Sequence, residues 1–276
     1  MGVWIMAGVT LREAARKKVL WIALAAGFAF LALFAIGLHY QTKDLASHDI
    51  SPAVRGGARN AMLVAGLYAV DLLTVVMTVL TSVDTLSGEI ASGTIQAVAT
   101  KPIRRWQLLL GKWLGFIVML AAYIVLMVGG TATVGYVISG AEVHHLVLGV
   151  FLIWLESTLL LSVTILCGTS LSTLTNGVVV LGLHGIAFIG GWIEQAGVVT
   201  HSSRAVTVGI VASLIMPSEA LWRRAVSRMQ SPLISALAMS PFSNASVPSR
   251  AMVVYAAVYL FAALGLAMRR FGRRDL

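Results

Sequence analysis

Residues 19–38 read VLWIALAAGFAFLALFAIGL, a run of twenty residues without a charge. A helix of this length can cross the hydrocarbon core of a bilayer, which requires about 20 apolar residues. The run is too long for the apolar region of a signal peptide, and no convincing small-residue cleavage site follows it. We therefore interpret it as a retained first membrane-spanning helix.

The same reasoning identifies further spans along the rest of the chain. Each is an apolar run close to the length that a bilayer requires, and they comprise residues 61–83, 114–138, 146–168, 177–193 and 251–268. Only 11% of the residues are charged, which is too few to cover the water-facing surface of a soluble domain. The sequence therefore predicts an all-α membrane protein, with six spans forming a single transmembrane domain over residues 1–276.

The basic residues predict the orientation of these spans. Lys and Arg number 20 against 11 Asp and Glu, and in a membrane protein this excess indicates topology rather than a nucleic-acid partner. Most of them flank the spans on one side: Arg12, Arg16, Lys17, Lys18, Lys101, Arg104, Arg105, Lys112, Arg269, Arg270, Arg273 and Arg274. Both termini are therefore predicted to be cytoplasmic, in a cell membrane. Five arginines oppose this pattern by lying in the predicted external segment, 194–250: Arg204, Arg223, Arg224, Arg228 and Arg250.

Two segments outside the spans are predicted to lie at or partly within the membrane. Residues 4–18 combine helical apolar spacing with basic side chains, which favours an interfacial helix or, alternatively, a simple topology anchor. In the external segment, the apolar run 205–216 ends at Pro217 and is too short to span, so we expect a re-entrant or interfacial piece. Ser218 and Glu219 then fit the start of another helix.

Residues 84–112, DTLSGEIASGTIQAVATKPIRRWQLLLGK, form a polar segment between two spans on the predicted cytoplasmic side. Ser87 fits the N-cap of a helix that extends to about residue 98, and Glu89 would lie in its first turn. A short helix held between two spans could transmit the movement of a partner to both of them. The alternative is a plain connecting loop.

The end of this segment is also marked in the sequence. Lys101 precedes Pro102, which favours an extended conformation and ends the helix. A new helix can begin near Arg104 and continue into the next span. The segment is thus predicted to return sharply to the membrane.

Several motifs in this region resemble the ABC-2 type permease family, the membrane subunits of ABC exporters. The similar stretches are SGEIASGT at 87–94, KPIRR at 101–105 and LGK at 110–112, with weaker similarity at LRE 11–13 and PSEALWRR 217–224. The resemblance implies two permease copies, here a homodimer, working with two cytoplasmic ATPase subunits. It also implies that 84–112 is the coupling segment that docks on the ATPase.

The resemblance assigns roles to individual positions in that segment. Glu89, Gly93 and Thr94 would form the docking helix. The turn back to the membrane would be formed by Lys101, Pro102, Arg104 and Arg105.

The chain itself lacks a nucleotide-binding P-loop. Gly111-Lys112 is followed by Trp113, and Trp106 occupies the position of the first glycine of the motif. We therefore expect no enzymatic activity and no cofactor in this chain, with ATP and Mg²⁺ bound on the partner ATPase. The adjacent pair His144 and His145 and the single cysteine, Cys167, do not make a metal site.

Three ionisable residues lie within predicted spans: Asp71, Glu156 and His184. A charge near the bilayer centre costs about 2.5–3.5 kcal/mol on insertion scales, so such side chains face protein or water. They could line a substrate path, lie at a dimer seam or form interhelical hydrogen bonds. They could also form the proton relay of an ion-coupled secondary transporter, although the chain lacks the two similar halves that such proteins tend to show.

Near the last of these residues, the predicted fifth span is rich in glycine. The glycines that we expect to allow close packing against a neighbouring helix are Gly182, Gly185, Gly190 and Gly191.

Overall fold

A computed structural model describes residues 2–48, 51–91, 104–230 and 246–273. These residues form helices and connecting turns without any strand, as expected for an all-α membrane protein. The helices are α1 Gly2–Arg16, α2 Lys18–Ser47, α3 Pro52–Ser82, α4 Asp84–Ala91, α5 Arg105–Ser139, α6 Leu146–Gly168, α7 Thr173–Val199, α8 Ser203–Ile215, α9 Ser218–Met229 and α10 Arg250–Arg273.

Six segments of the described chain are long and apolar enough to cross a membrane, in agreement with the predicted number. They are α2, α5, α6, α7, α10 and the stretch Val54–Gly88, which joins α3 to the start of α4. Neighbouring spans alternate in direction. We call the end of the bundle where α2 and α5 begin the near face, and the opposite end the far face.

Helix α6 lies at the centre of the bundle, where it packs against α3, α5, α7, α9 and α10. The consecutive residues Leu159, Leu160 and Leu161 are all fully buried. Since successive residues of a helix point about 100° apart, α6 is covered on every side.

The N-terminal helix α1 packs against the beginning of α5. Gly111 and Gly115 of α5 leave room for the backbone and side chains of α1, and a β-carbon on Gly111 would lie only 2.5 Å from Cβ of Met6. Apolar side chains on the other side of α1, including Trp4 and Ile5, remain exposed. This amphipathic arrangement is the one expected for an interfacial helix.

Helix α8 descends from the far face alongside α7. Gly197 of α7 lies opposite Ala205 of α8, and Gly190 lies opposite Ala212, so the two helices are antiparallel. The chain then bends by 108° between α8 and α9.

Helix α9 returns to the far face after this bend. Its last residue, Met229, accepts a hydrogen bond at 3.0 Å from the backbone N–H of His144, and its side chain packs against Gly149 near the start of α6. The segment therefore enters and leaves on the same side. The expectation of a re-entrant piece holds, and α8 with α9 adds no seventh crossing.

The helix boundary near Ser87 differs from the prediction. The chain is helical again from Asp84, immediately after Val83, so Ser87 lies inside α4 and is not an N-cap. Its hydroxyl donates a hydrogen bond of 2.7 Å to the carbonyl of Val83, as serine does within helices. The predicted start of the next helix is correct, because Arg104 is extended and α5 begins at Arg105.

Candidate functional site

The three polar residues predicted within spans are brought together in the interior of the bundle. Asp71 lies halfway along the span Val54–Gly88, Glu156 near the middle of α6 and His184 near the middle of α7. All three are buried, and none is more than 8% exposed. Because α6 packs against both α3 and α7, the three side chains surround one region at the midplane of the bundle.

A third carboxyl group, from Glu219 of α9, joins those of Asp71 and Glu156. The three lie within electrostatic range of one another. Oδ1 of Asp71 and both carboxylate oxygens of Glu156 and Glu219 are buried and accept no hydrogen bond from an N–H or hydroxyl donor of the described residues. The carboxyl groups of Asp71 and Glu156 are close enough to share a proton. A buried carboxylate is costly unless a proton or a cation neutralises it, so this acidic cluster retains capacity to bind one of these. We call Asp71, Glu156 and Glu219 the acidic cluster.

The sequence placed Glu219 only in the first turn of a helix, and α9 does begin at Ser218. The sequence did not predict that Glu219 would lie deep inside the bundle. Glu219 reaches the interior because α8 carries the chain inward before α9 starts. The predicted re-entrant bend at Pro217 could have indicated this position, because the residues that follow such a bend begin inside the membrane.

A separate buried ion pair joins α9 to α7. Nη2 of Arg223 donates to Oε2 of Glu194 at 2.7 Å, and both side chains are more than nine-tenths buried. The other carboxylate oxygen of Glu194 accepts a hydrogen bond of 2.6 Å from the hydroxyl of Ser246. Sequence analysis had counted Arg223 as an external charge and had ended the fifth span at 193, so it did not connect these residues.

His184 bonds α7 to the start of α9. Its Nδ1 shares a hydrogen bond of 3.0 Å with the hydroxyl of Ser218, which immediately precedes Glu219 at the start of α9.

The glycines near His184 on α7 divide into two kinds. Gly190 and Gly191 are in close contact with α8 and α9, as expected, whereas Gly182 and Gly185 have open space where a side chain would be.

The open space beside Gly185 belongs to a cavity of about 440 Å³ between α3 and α7. Asp71 and His184 both line it, together with the aromatic residues Tyr68 and Phe188. Most of the remaining wall is aliphatic, from residues such as Val75 and Leu181. Cavities of this size and composition accommodate small organic molecules.

Helix α4 forms a second site of interest at the near face, where it contacts three other spans. Lys112 of α5 is buried and donates from Nζ to the carbonyl of Thr85 at 3.4 Å. The hydroxyls of Ser87 and Thr173, the first residue of α7, lie 3.1 Å apart. Leu86 packs beside Gly168 at the end of α6. The sequence identified Lys112 as a cytoplasmic basic residue and as part of a motif, but did not predict this contact.

The residues that the resemblance assigned to coupling are mostly outside the described structure. Gly93, Thr94, Lys101 and Pro102 lie between the described ranges, and the side chain of Glu89 is not described.

The two coupling arginines are described. The backbone N–H of Arg104 donates to Oε1 of Gln107 at 3.2 Å, which stabilises the start of α5. Arg105 donates to the carbonyl of Gly272 at the near-face end of α10.

Comparisons with known proteins add one match. A family model described as "ABC-2 family transporter protein" matches residues 4–181. These residues include α1, most of the bundle, the near-face helix α4 and two members of the acidic cluster. No curated protein matched the chain. Among the described residues, no group of three His, Cys, Asp or Glu side chains is arranged to hold a metal ion.

Proposed function

The chain belongs to the ABC-2 transporter family, and from this we propose that it is the permease subunit of an ATP-driven exporter. In this proposal, ATP and Mg²⁺ bind to a separate cytoplasmic ATPase, and two copies of the permease form a homodimer in the cell membrane. The near face is cytoplasmic, because the basic flanks of the spans lie there. The ATPase docks on the segment 84–112.

The packing of α4 is the observation that supports this proposal. One end of α4 continues the span that carries Asp71, and its sides contact the near-face ends of α5, α6 and α7. The carbonyl of Thr85 is bonded to Lys112 of α5, and the hydroxyl of Ser87 is bonded to Thr173 of α7. A force applied to α4 would therefore reach several spans together.

The proposed mechanism is alternating access. Closure of the ATPase pair upon ATP binding moves α4, and α3 moves with it because the two helices are nearly continuous. Since α3 and α7 form the walls of the cavity that contains Asp71 and His184, this movement changes the access to that cavity. The substrate would then leave through the far face.

Two substitutions in the docking segment test the coupling to an ATPase. Pro at Gly93 should break the expected helix at a cost of about 3 kcal/mol, and Glu89→Arg reverses the charge offered to the partner. Both variants should reach the membrane in normal amounts but retain less ATPase subunit on co-purification. The matched control is Asp44→Arg, an exposed charge reversal near the far-face end of α2. Normal ATPase binding and transport by both docking variants would contradict the proposal.

A substitution at Lys112 tests the transmission from α4 to α5. Lys112→Met keeps an unbranched side chain but removes the hydrogen bond to the carbonyl of Thr85. We expect the ATPase to bind normally while substrate-stimulated ATP hydrolysis falls. Lys43→Met, at an exposed position of α2, is the control. Unchanged stimulation in Lys112→Met would show that this contact does not transmit movement.

An ion-coupled secondary transporter is the second candidate, because Asp71, Glu156 and Glu219 gather at the midplane with spare acceptor oxygens. Reconstituted vesicles distinguish the two functions. Transport that requires ATP and the ATPase subunit favours the exporter. Transport that follows an imposed proton gradient in their absence favours the secondary transporter.

A further inference from the structure

The cavity between α3 and α7 has the size and the lining of a binding site for a small amphipathic molecule. Its volume of about 440 Å³ falls in the range of ordinary ligand pockets. Leu72, Val75 and Leu181 contribute aliphatic surface. A molecule that is polar throughout would lose its hydration in such a site without finding enough partners, so the occupant must be largely apolar.

The polar part of the lining favours a positive charge. Asp71 is only 5% exposed, lines the cavity, and has a buried oxygen without a hydrogen-bond partner among the described residues. Glu156 and Glu219 lie within electrostatic range behind it, and in this region of low dielectric a negative charge on either carboxyl group would strengthen the attraction for a cation.

Of the three arginines on α9, Arg223 lies near Glu219 and is also engaged by Glu194 of α7. Arg223 donates to Glu194, and in the described part of the chain no lysine or arginine forms an ion pair with Asp71 or Glu156. The cavity wall therefore carries an uncompensated acidic group.

The aromatic residues supply a second form of cation recognition. Tyr68 and Phe188 line the same cavity, on α3 and α7 respectively. Aromatic rings attract cations through the negative potential of their faces, and this attraction grows when the cation is removed from water. Charge and aromatic lining thus favour the same class of molecule.

We infer that this cavity binds a hydrophobic organic cation, such as a protonated amine or a quaternary ammonium or phosphonium ion, with Asp71 as its counter-ion. This inference rests on the proposed permease function, for which it names the substrate class. An organic anion of the same size would be repelled by the acidic cluster.

Tetraphenylphosphonium and tetraphenylborate provide a direct test, because they share a shape and carry opposite charges. Equilibrium binding of each is measured on the full-length, detergent-solubilised chain, without ATP. We expect saturable binding of the phosphonium and no saturable binding of the borate. Asp71→Asn should weaken phosphonium binding at least tenfold, whereas Asp44→Asn on α2 should not change it. Equal binding of both ions, or unchanged affinity in Asp71→Asn, would overturn the inference.

A second pair of variants keeps the test informative if Asp71→Asn does not fold. Gly185→Leu places a side chain in the open space of the cavity and should abolish phosphonium binding. Gly182→Leu is the matched control, because it adds the same side chain to the same helix in open space that does not line the cavity. Equal binding by these two variants would place the cation elsewhere and refute the inference.

These outcomes are separable from those of the permease proposal. If phosphonium does not bind while Glu89→Arg loses its ATPase subunit, the substrate class is wrong and the permease function stands. If phosphonium binds while neither docking variant alters ATPase binding or transport, the cation site stands and the coupling proposal fails.

Discussion

Two groups of buried charges lie close together in this bundle, and they differ in how completely they are bonded. Both carboxylate oxygens of Glu194 are engaged, one by Arg223 and the other by Ser246. In the acidic cluster, by contrast, neither oxygen of Glu156 is bonded to a basic residue or to an N–H or hydroxyl donor among the described residues. The first group ties the re-entrant helix α9 to α7 and to the chain before α10.

This difference separates a structural role from a functional one. Because both oxygens of Glu194 are engaged, neither is left to accept from a ligand, and breaking the ion pair leaves an uncompensated charge. Carboxyl groups with spare acceptor capacity contribute little to stability but can bind a proton or a cation. Substitutions should therefore be damaging to the fold in the first group and to binding or transport in the second.

The largest effect is expected for Arg223→Met. It leaves Glu194 buried without its guanidinium partner, which should lower the free energy of unfolding by about 3–5 kcal/mol. Thermal unfolding and size-exclusion profiles in detergent measure the change. Adding Glu194→Gln to the same chain removes the orphaned charge and should recover most of the loss. A single variant as stable as the original chain would show that the ion pair does not hold the re-entrant segment.

This ion pair also explains part of an anomaly in the sequence. Five arginines lie on the predicted external side, against the usual bias. Arg223 is buried in the ion pair, and Arg224 donates a hydrogen bond to the carbonyl of Pro248. Their positions are set by tertiary contacts, which a count of charges in loops does not consider.

Local sequence was enough to predict the spans and the re-entrant segment. Span length follows from the thickness of the bilayer, and the run 205–216 was too short and ended at Pro217. The pairing of Glu194 with Arg223 could not be predicted in the same way. It depends on a hairpin that brings together residues from two helices, and no local pattern encodes that geometry.

The second-largest effect concerns the two kinds of glycine on α7. A β-carbon on Gly190 would lie 2.3 Å from Cβ of Ala212, whereas Gly182 has open space around it. Gly190→Leu should therefore force α8 away from α7 and destabilise the protein by about 1–3 kcal/mol. Gly182→Leu should leave the unfolding temperature in detergent nearly unchanged. Equal stability of the two variants would mean that α8 is not packed as closely as this contact implies.

A smaller effect is expected at the hydrogen bond between His184 of α7 and Ser218 of α9. Ser218→Ala removes the hydroxyl that is bonded to Nδ1 of His184, at a cost of about 1 kcal/mol. The unfolding midpoint should fall slightly. Ser203→Ala, at an exposed position at the start of α8, provides the control. If both substitutions shift the midpoint equally, the contact with His184 contributes nothing specific.

The smallest effect on stability is expected for Glu156→Gln, although its effect on function should be large. The carboxyl group of Glu156 is in hydrogen-bond contact with that of Asp71, and the amide of a glutamine can keep this contact while the substitution removes an acidic group beside Asp71 and Glu219. Stability should stay within about 1 kcal/mol of the original chain or rise, because a buried carboxylate without a basic partner is itself unfavourable. The affinity for tetraphenylphosphonium should fall, since the potential behind Asp71 becomes less negative. Glu194→Gln, the same change in the bonded group, should do the reverse by lowering stability and leaving cation affinity almost unaltered. Should Glu156→Gln unfold the protein while Glu194→Gln is tolerated, the roles assigned to the two groups would have to be exchanged.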